Sequence, residues 1–420
     1  MNDSSPRRRI LLVAYFYPPC RDTGALRPAA IAKWLRRLGH EVTVLTTSAY
    51  GEHSGDPHED VVRTADLQRL RARLAGEQSI GALFDSPTYS GRPHPLAKVL
   101  VPEPLVAAWL PFARACALRL QRERRFDCVI TTSPPESAHA VGFALQSRGV
   151  PWIADLRDAW TFESLRPELP TSWQRRLDQR LERRWLSAAD AVVCVSEPAL
   201  DDLRRRGIAE PILITNGWDP ESAPEAGRAP SDLLDPDRVS LVYTGRFGNR
   251  GRDPRPLVEA LARLARDEPA AAARLELVIA GPLTTDEAEL LAGDVSPARI
   301  VRAGSLDRTA ALALQREADA LLLLAQPIRS QLLNIKLFEY LAAGRPILAL
   351  VAGTDAGRVV AALGGDPIRA DDPAAIAGGL GAVARGELAN PDPEALAAYT
   401  YPAPAARIAE AVERAISARA

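Results

Sequence analysis

Along the first half of the chain, apolar residues fall in short unbroken runs, separated by stretches in which they recur at helical spacing. Ile10–Tyr15 is such a run. Arg27–Leu38 then reads as an amphipathic helix stopped by Gly39-His40, and Glu41–Leu45 as the next strand. Strand, loop, helix, strand is the opening of a doubly wound domain. The pattern fades between Thr46 and Pro104, where Asp66–Leu74 is a helix candidate and Ser86–Pro95 is rich in turn residues. It resumes with a helix over Trp109–Arg124 and strands at Cys128–Thr132, Trp152–Ala154, Ala191–Val195 and Ile212–Ile214.

The second half repeats the scheme. Strand Val239–Thr244, helix Pro256–Arg266, strand Leu275–Ile279, strand Arg299–Ala303 and helix Thr309–Arg316 lead to the most patterned stretch, Ala318–Val351. There the buried strand Ala320–Leu324, a polar loop, a helix over Asn334–Ala343 and the strand Ile347–Val351 follow one another. Nearly continuous apolar strands separated by helices indicate parallel sheets covered on both faces, with ligands beyond the carboxyl ends of the strands. Further helices are expected at Ile376–Arg385, Glu394–Tyr399 and Ala403–Ser417. The expected organisation is an amino-terminal domain over 1–216, a Pro-, Ala-, Ser- and Gly-rich linker over 217–237, a second domain over 238–400, and a last helix within 401–420 that returns to the first domain.

Composition narrows the function. A chain of 420 residues exceeds one usual core. The net charge of -1 gives no reason to expect a nucleic-acid partner. Of 52 basic residues only Lys33, Lys98 and Lys336 are lysines, which makes Lys336 stand out. Cys20, Cys116, Cys128 and Cys194 are widely spaced, so neither a zinc site nor a disulfide framework is expected, and a reducing, cytoplasmic setting is the simpler reading. The basic amino terminus meets Pro18-Pro19 after a short apolar run and reads as a first strand rather than a signal peptide.

Four clusters follow strands at the edge where a ligand is expected. In YPPCRDTGALR, Gly24 would let backbone approach a ligand, with Arg21, Asp22 and Arg27 beside it to contact hydroxyls or charge. In SPPESAH, His139 is a candidate for the cleft, with a helix-surface position as the plainer reading. In DLRDAW, Asp155 and Arg157 point to the same side if extension continues, so Asp155 is expected to orient Arg157, with Arg157 or Asp158 facing substrate. In the second half, GRFGNRG supplies glycines and the planar donors of Arg246 and Arg250, with Arg252 and Asp253 beyond; its spacing is not the G-x-G-x-x-G of dinucleotide sites, which argues against a nicotinamide-dependent dehydrogenase. Lys336 would neutralise phosphate, and Glu339, one turn along the same helix, would accept hydrogen bonds from ribose hydroxyls.

These motifs, YFYPP with Gly24 and Arg27, GHEVTVLT, TTSPPESAHA, PWIADLRDAW, TNGWD and KLFEYLAAGRPIL, occur in the order seen in bacterial glycosyltransferases of family four, and the chain resembles the subgroup that assembles surface polysaccharides and related glycoconjugates. The resemblance implies two facing Rossmann-like α/β domains with mostly parallel sheets, the GT-B fold. It also implies sugar transfer from a UDP-, GDP- or dTDP-sugar with retention, without a metal or other cofactor. Carried over residue by residue, it implies an acceptor side around Gly24, Arg27 and His139, and a donor side of Arg246, Arg250, Gln331, Asn334, Lys336, Leu337 and Glu339, with Arg157, Asp158, Arg246 and Lys336 in catalytic roles. Two departures stand out. The family commonly has two glutamates eight positions apart; Glu339 matches the second, but Gln331 takes the first. Where many members present a histidine after a strand, this chain has Arg157, which stays protonated and cannot act as a base.

The acceptor is expected to be a glycan or small molecule, including a lipid-linked glycan. Peripheral membrane contact through Leu96–Phe112, with Trp109 and Lys98, is weighed against ordinary core packing of that stretch. A sugar-nucleotide epimerase and a catalytically inactive nucleotide-sugar-binding scaffold are the alternatives left open.

Overall fold

The computed structural model describes residues 6–20, 22–51, 60–74, 99–162, 169–221, 233–247, 253–293, 295–324, 333 and 335–419. The chain divides into two compact units, Met1–Asn216 with Tyr401–Ala420, and Gly217–Thr400.

In the first unit the strands are β1 (Arg9–Ala14), β2 (Glu41–Thr47), β3 (Val61–Thr64), β4 (Cys128–Ser133), β5 (Trp152–Leu156), β6 (Ala191–Cys194) and β7 (Ile212–Leu213). Among the described residues they form one parallel sheet in the order β3-β2-β1-β4-β5-β6-β7. Both faces are covered, which is why the strands read as unbroken apolar runs. Alternation along β1 sends Leu11 and Val13 into a core shared with the helices Leu110–Arg124 and Ala138–Gln146, and Ile10 and Leu12 into a core shared with the helix Leu26–Arg37. That second core also contains Ile408, Ala411, Val412 and Ala415 of the helix Ala403–Ser417, whose Glu413 takes a forked pair of hydrogen bonds from Arg8 at 2.8 and 2.6 Å.

The second unit has β8 (Val239–Thr244), β9 (Leu275–Ala280), β10 (Arg299–Arg302), β11 (Ala320–Leu324) and β12 (Ile347–Leu350), parallel in the order β10-β9-β8-β11-β12. Each sheet reverses its strand order once, between β1 and β4 and between β8 and β11, so the loops leaving those strands frame a crevice in each unit.

Helices at Ser172–Leu186 and Glu197–Arg205 and the edge strand β3 go beyond the elements the sequence pattern indicated. The buried face of Ser172–Leu186 explains its weak pattern, for it carries Gln174, Asp178 and Glu182. Their partners lie inside the unit: Trp160 Nε1 donates to Asp178 at 2.9 Å, and Arg206 and the Thr161 N–H donate to Glu182 at 2.8 and 3.2 Å. Trp109 belongs to the core rather than a surface patch. It is fully buried, donates from Nε1 to Thr64 Oγ1 at 2.9 Å and meets Tyr15 edge-on, which corrects its proposed place in a membrane-facing stretch. Among the described residues no helix is long and apolar enough to cross a membrane. Ser86–Pro95 lies outside the described residues.

The centre of the first sheet is polar. Asp155 on β5 is fully buried and is held by Arg27 in a fork, Nη2 to Oδ1 at 2.7 Å and Nε to Oδ2 at 3.1 Å, and by the Thr132 hydroxyl at 2.8 Å. Burial works against the Arg27 charge, but the Asp155 carboxylate more than offsets it and the guanidinium pKa is raised. Breaking such a pair strands a charge in the interior. Asp155→Ala should therefore cost about 3–5 kcal/mol in a urea unfolding titration; a loss of about 1 kcal/mol or less, the range of exposed pairs, would mean that the pair does not hold the sheet together.

Candidate functional site

At the end of β1 the chain turns back through a short helical turn, Thr23–Ala25, whose start is fixed by the Asp22 carboxylate accepting the Gly24 N–H at 2.7 Å. This turn sets Gly24 against Arg157, just past β5. The Arg157 N–H continues the pairing with β4 by donating to Ser133 O at 3.2 Å, while its guanidinium donates to Gly24 O and lies 5.8 Å from the Phe16 ring centroid. A Cβ on Gly24 would sit 2.4 Å from Arg157 Nη1. Gly24 therefore makes room for an arginine of the chain itself, which corrects its expected role of letting backbone approach a ligand.

The expected pairing of Asp155 with Arg157 is also corrected. Asp155 points into the sheet toward Arg27, and among the described residues Arg157 meets the carboxylate of Asp158, 3.9 Å from Nε. Arg27 cannot serve as an acceptor contact. It is buried, and its five donor hydrogens are directed at Asp155, Ile214 O, Thr215 O and Asn216 Oδ1. Asp158, by contrast, keeps 39% of its side chain exposed, beside a mostly covered Arg157.

His139 is neither on the helix surface nor open to an acceptor, so that expectation too is corrected. Its ring is fully buried in the first turn of Ala138–Gln146, stacked on Trp160 with centroids 6.0 Å apart. The Thr131 hydroxyl accepts the Trp152 Nε1–H at 2.8 Å and lies 2.8 Å from His139 Nδ1; His139 Nε2 has no partner among the described residues. Burial outweighs the opposing pull of Asp155 and lowers the His139 pKa to about 4.

In the second unit the geometry centres on Gly245, the residue after β8. It has φ +95°, open to glycine at no steric cost, and a Cβ there would sit 2.7 Å from Lys336 Nζ. Lys336 reaches this point from the first turn of the helix Ile335–Ala343 and donates to Tyr243 OH at 2.8 Å; that hydroxyl in turn donates to Arg246 O at 2.5 Å. The Arg246 side chain is exposed beside it. Gly281 approaches so closely that a Cβ on it would lie 2.1 Å from Gly245 O. An ammonium and a glycine turn at the start of a helix are the ingredients of a polyanion site. One turn on, Glu339 is nearly buried and its Oε1 meets Arg308 Nη1 at 2.7 Å. Leu337 is corrected as a side-chain contact, because it is wholly buried in the core. Arg21, Arg250, Arg252, Gln331 and Asn334 lie outside the described residues.

Arg308 and Tyr243 are the residues that the motifs did not point to. Arg308 begins the helix Arg308–Glu317 behind the Asp307 cap, remote in sequence from Glu339, and Tyr243 is masked as one more apolar position of a strand. Among the described residues no group of three or more His, Cys, Asp or Glu side chains could hold a metal ion.

Residues 24–217 match the glycosyl transferase 4-like domain, and residues 238–385 match the glycosyl transferases group 1 domain. The chain is a family-four glycosyltransferase. Its GT-B fold is shared with solved structures of low identity. Sucrose-phosphate synthase from Thermosynechococcus elongatus aligns with TM-score 0.58 and 18% identity over 98% of this chain and 100% of that one. An α,α-trehalose 6-phosphate synthase from Burkholderia multivorans aligns with TM-score 0.60 and 12% identity over 99% and 100%. The UDP co-structure of MnaA from S. aureus aligns with TM-score 0.51 and 14% identity over 98% and 97%. No curated protein sequence matches the chain.

The buried histidine of this glycosyltransferase gives its stability a pH signature. The unfolded chain protonates His139 near 6.5, whereas the folded one resists until about 4, so the unfolded state binds more protons in that window and stability falls as pH drops through it. The loss should amount to roughly 3 kcal/mol, and His139→Gln should flatten it. Urea midpoints of the two proteins on either side of the window test this; parallel pH curves would show that His139 is charged or solvated in the fold.

Proposed function

We propose that this glycosyltransferase moves a sugar from a nucleotide-sugar donor held by the second unit to a hydroxyl-bearing acceptor held by the first, with retention at the anomeric carbon. The observation that carries the donor side is the Lys336 ammonium, lodged between Gly245 and the Tyr243 hydroxyl at the start of a helix, with Glu339 one turn further on. Departure of a nucleoside diphosphate concentrates negative charge on the phosphates. Lys336, Arg246 and the helix-start N–H groups stabilise that charge most where they are already oriented before it develops. Glu339, ion-paired with Arg308, accepts the ribose hydroxyls.

On the acceptor side, Arg157 is a fixed cation and Asp158 an accessible carboxylate next to it. With the buried His139 and Arg27 removed from contact, no described neutral base stands beside Arg157. This favours a front-face route in which the leaving phosphate takes the acceptor's proton and Asp158 orients the hydroxyl. Surface-polysaccharide or glycoconjugate assembly at the inner face of the cytoplasmic membrane is the biological setting that this reading fits.

Calorimetry against UDP-, GDP- and dTDP-sugars tests the donor assignment, and product analysis with an acceptor panel tests transfer. Saturable binding to none of the donors would overturn the reading; epimerised sugar formed without any acceptor would replace it with the epimerase activity. Lys336→Ala should lower kcat by about a hundredfold or more, equivalent to ~3–4 kcal/mol. Glu339→Ala should weaken donor binding by about 1.5–3 kcal/mol with an unchanged melting temperature, and donor affinity equal to that of the parent would place Glu339 outside the site.

A further inference from the structure

The helices that carry Arg308, Lys336 and Glu339 meet the end of β8 at a buried polar cluster. Gly245 turns its N–H toward β9, donating to Ala280 O at 2.6 Å. Successive N–H groups along a strand face opposite neighbours, so the N–H of Thr244 faces the β11 side. The registered partners of β11 on β8 are Leu241 and Val242, which lie short of it. The Thr244 N–H donates to the hydroxyl of Tyr340, at 3.1 Å. That hydroxyl also lies 3.5 Å from Thr244 Oγ1, which accepts from Gln315 Nε2 at 2.9 Å.

Three elements are joined here. Gln315 follows Arg308 on the helix Arg308–Glu317 by about two turns, on the same face. Tyr340 follows Lys336 by about one turn on the helix Ile335–Ala343, directly after Glu339. Tyr340, Gln315 and Thr244 are all buried. Apolar contacts of Val242, Leu314, Leu337, Phe338 and Leu341 press the same elements together. Such contacts tolerate small slides, whereas a hydrogen bond fixes one point of a helix to one atom of a strand. Stability alone does not account for the cluster: Gln315 Oε1 is buried with no partner among the described residues, a cost that an apolar side chain of similar length would avoid.

We propose that Tyr340 is a positioning residue, which through Thr244 and Gln315 sets where Lys336 and Glu339 stand at the donor site. This rests on the donor reading of the second unit and names what fixes its geometry. Lys336 donates to the Tyr243 hydroxyl at 2.8 Å, and Tyr243 is the residue before Thr244, so an anchor at Thr244 holds the ammonium one residue away. Carried on to Gln315, the same anchor holds the helix whose first residue, Arg308, pairs with Glu339 at 2.7 Å. Misplacement of reacting groups by about 1 Å is enough to lower a rate by about a hundredfold.

The lysines of the chain are Lys33, Lys98 and Lys336, so a nuclear magnetic resonance spectrum of the full chain grown on carbon-labelled lysine isolates the Lys336 signal, assigned by its absence in Lys336→Ala. Lys336 Nζ stands 4.4 Å from the Tyr243 ring centroid, and ring current displaces its signal from that of an exposed lysine. Tyr340→Phe removes the hydroxyl and keeps the ring; it should move the Lys336 signal toward the exposed position. Calorimetric titration with UDP, GDP and dTDP reads the consequence. For the tightest of these, Tyr340→Phe should weaken binding by about tenfold or more, and by less than about twofold where Lys336 and Glu339 are already alanine. A Lys336 signal at the parent position, or parent-level affinity, in folded Tyr340→Phe overturns the proposal. Equal weakening in both backgrounds also overturns it, because Tyr340 then acts elsewhere, and leaves the donor reading intact. If the Lys336 signal moves in Tyr340→Phe while none of the three nucleotides binds the parent, the donor reading fails and the positioning of Lys336 stands. Should Tyr340→Phe lose its melting transition, Gln315→Met cuts the helix Arg308–Glu317 from the cluster and keeps the side-chain length; parent-level nucleotide affinity in that variant overturns the proposal.

Discussion

The Arg27–Asp155 pair is the constraint on which the first unit depends. Its two partners lie 128 residues apart, and the guanidinium also takes the carbonyls of Ile214 and Thr215 at the far end of the unit's sheet segment. One side chain thus joins the first helix, the middle of the sheet and the chain's exit from it. An apolar pair of similar volume would fill the same space without the desolvation cost. It would not, however, fix direction: a forked ion pair tolerates one register of the helix against β5, whereas apolar contacts tolerate several. That register brings the turn Thr23–Ala25 against Arg157, so the geometry of the surface site follows from the buried pair below it.

The two units solve a similar problem in parallel ways. In each, a strand of the switch point ends in a loop whose glycine gives its space to a cation of the same chain: Gly24 to the Arg157 guanidinium, Gly245 to the Lys336 ammonium. The cations are then held by neutral oxygens, Gly24 O in one case and Tyr243 OH in the other. A neutral acceptor orients a cation without itself cancelling the charge, and an oriented charge needs less reorganisation when a negative group develops beside it. Arg27 shows the opposite arrangement, a charge fully consumed by its partner and therefore silent toward ligands.

Most strands and the helix carrying Lys336 and Glu339 were legible because burial on both sheet faces leaves an unbroken apolar run, and because apolar positions 337, 338, 340 and 341 repeat at helical spacing. What escaped has identifiable causes. The helix Ser172–Leu186 buries Gln174, Asp178 and Glu182 against specific partners, so its inner face does not look apolar. The short strand β3 sits half-exposed at a sheet edge. Within the site, charge residues were recognised but their pairing was not. Asp155 was matched to its sequence neighbour Arg157, although alternation along a strand says only which side a residue faces and nothing about which helix crosses that side. Leu337 shows the same limit from the other direction: membership in a motif does not separate a side chain that packs in the core from one that meets a ligand.

The pairing of Glu339 with Arg308 bears on the proposed recognition of the donor. Arg308 Nη1 meets the nearly buried carboxylate at 2.7 Å. A carboxylate steadied in this way by a counter-charge suits a ligand that offers hydroxyl donors rather than another charge. Arg308 is itself about half exposed, so its grip is softened by solvent and can be shared when a hydroxyl arrives. A fold shared at 12–18% identity leaves such details free to vary. In the proposed donor site, selectivity therefore belongs to this local charge arrangement, two helices meeting at one carboxylate, and not to the sheet that carries it.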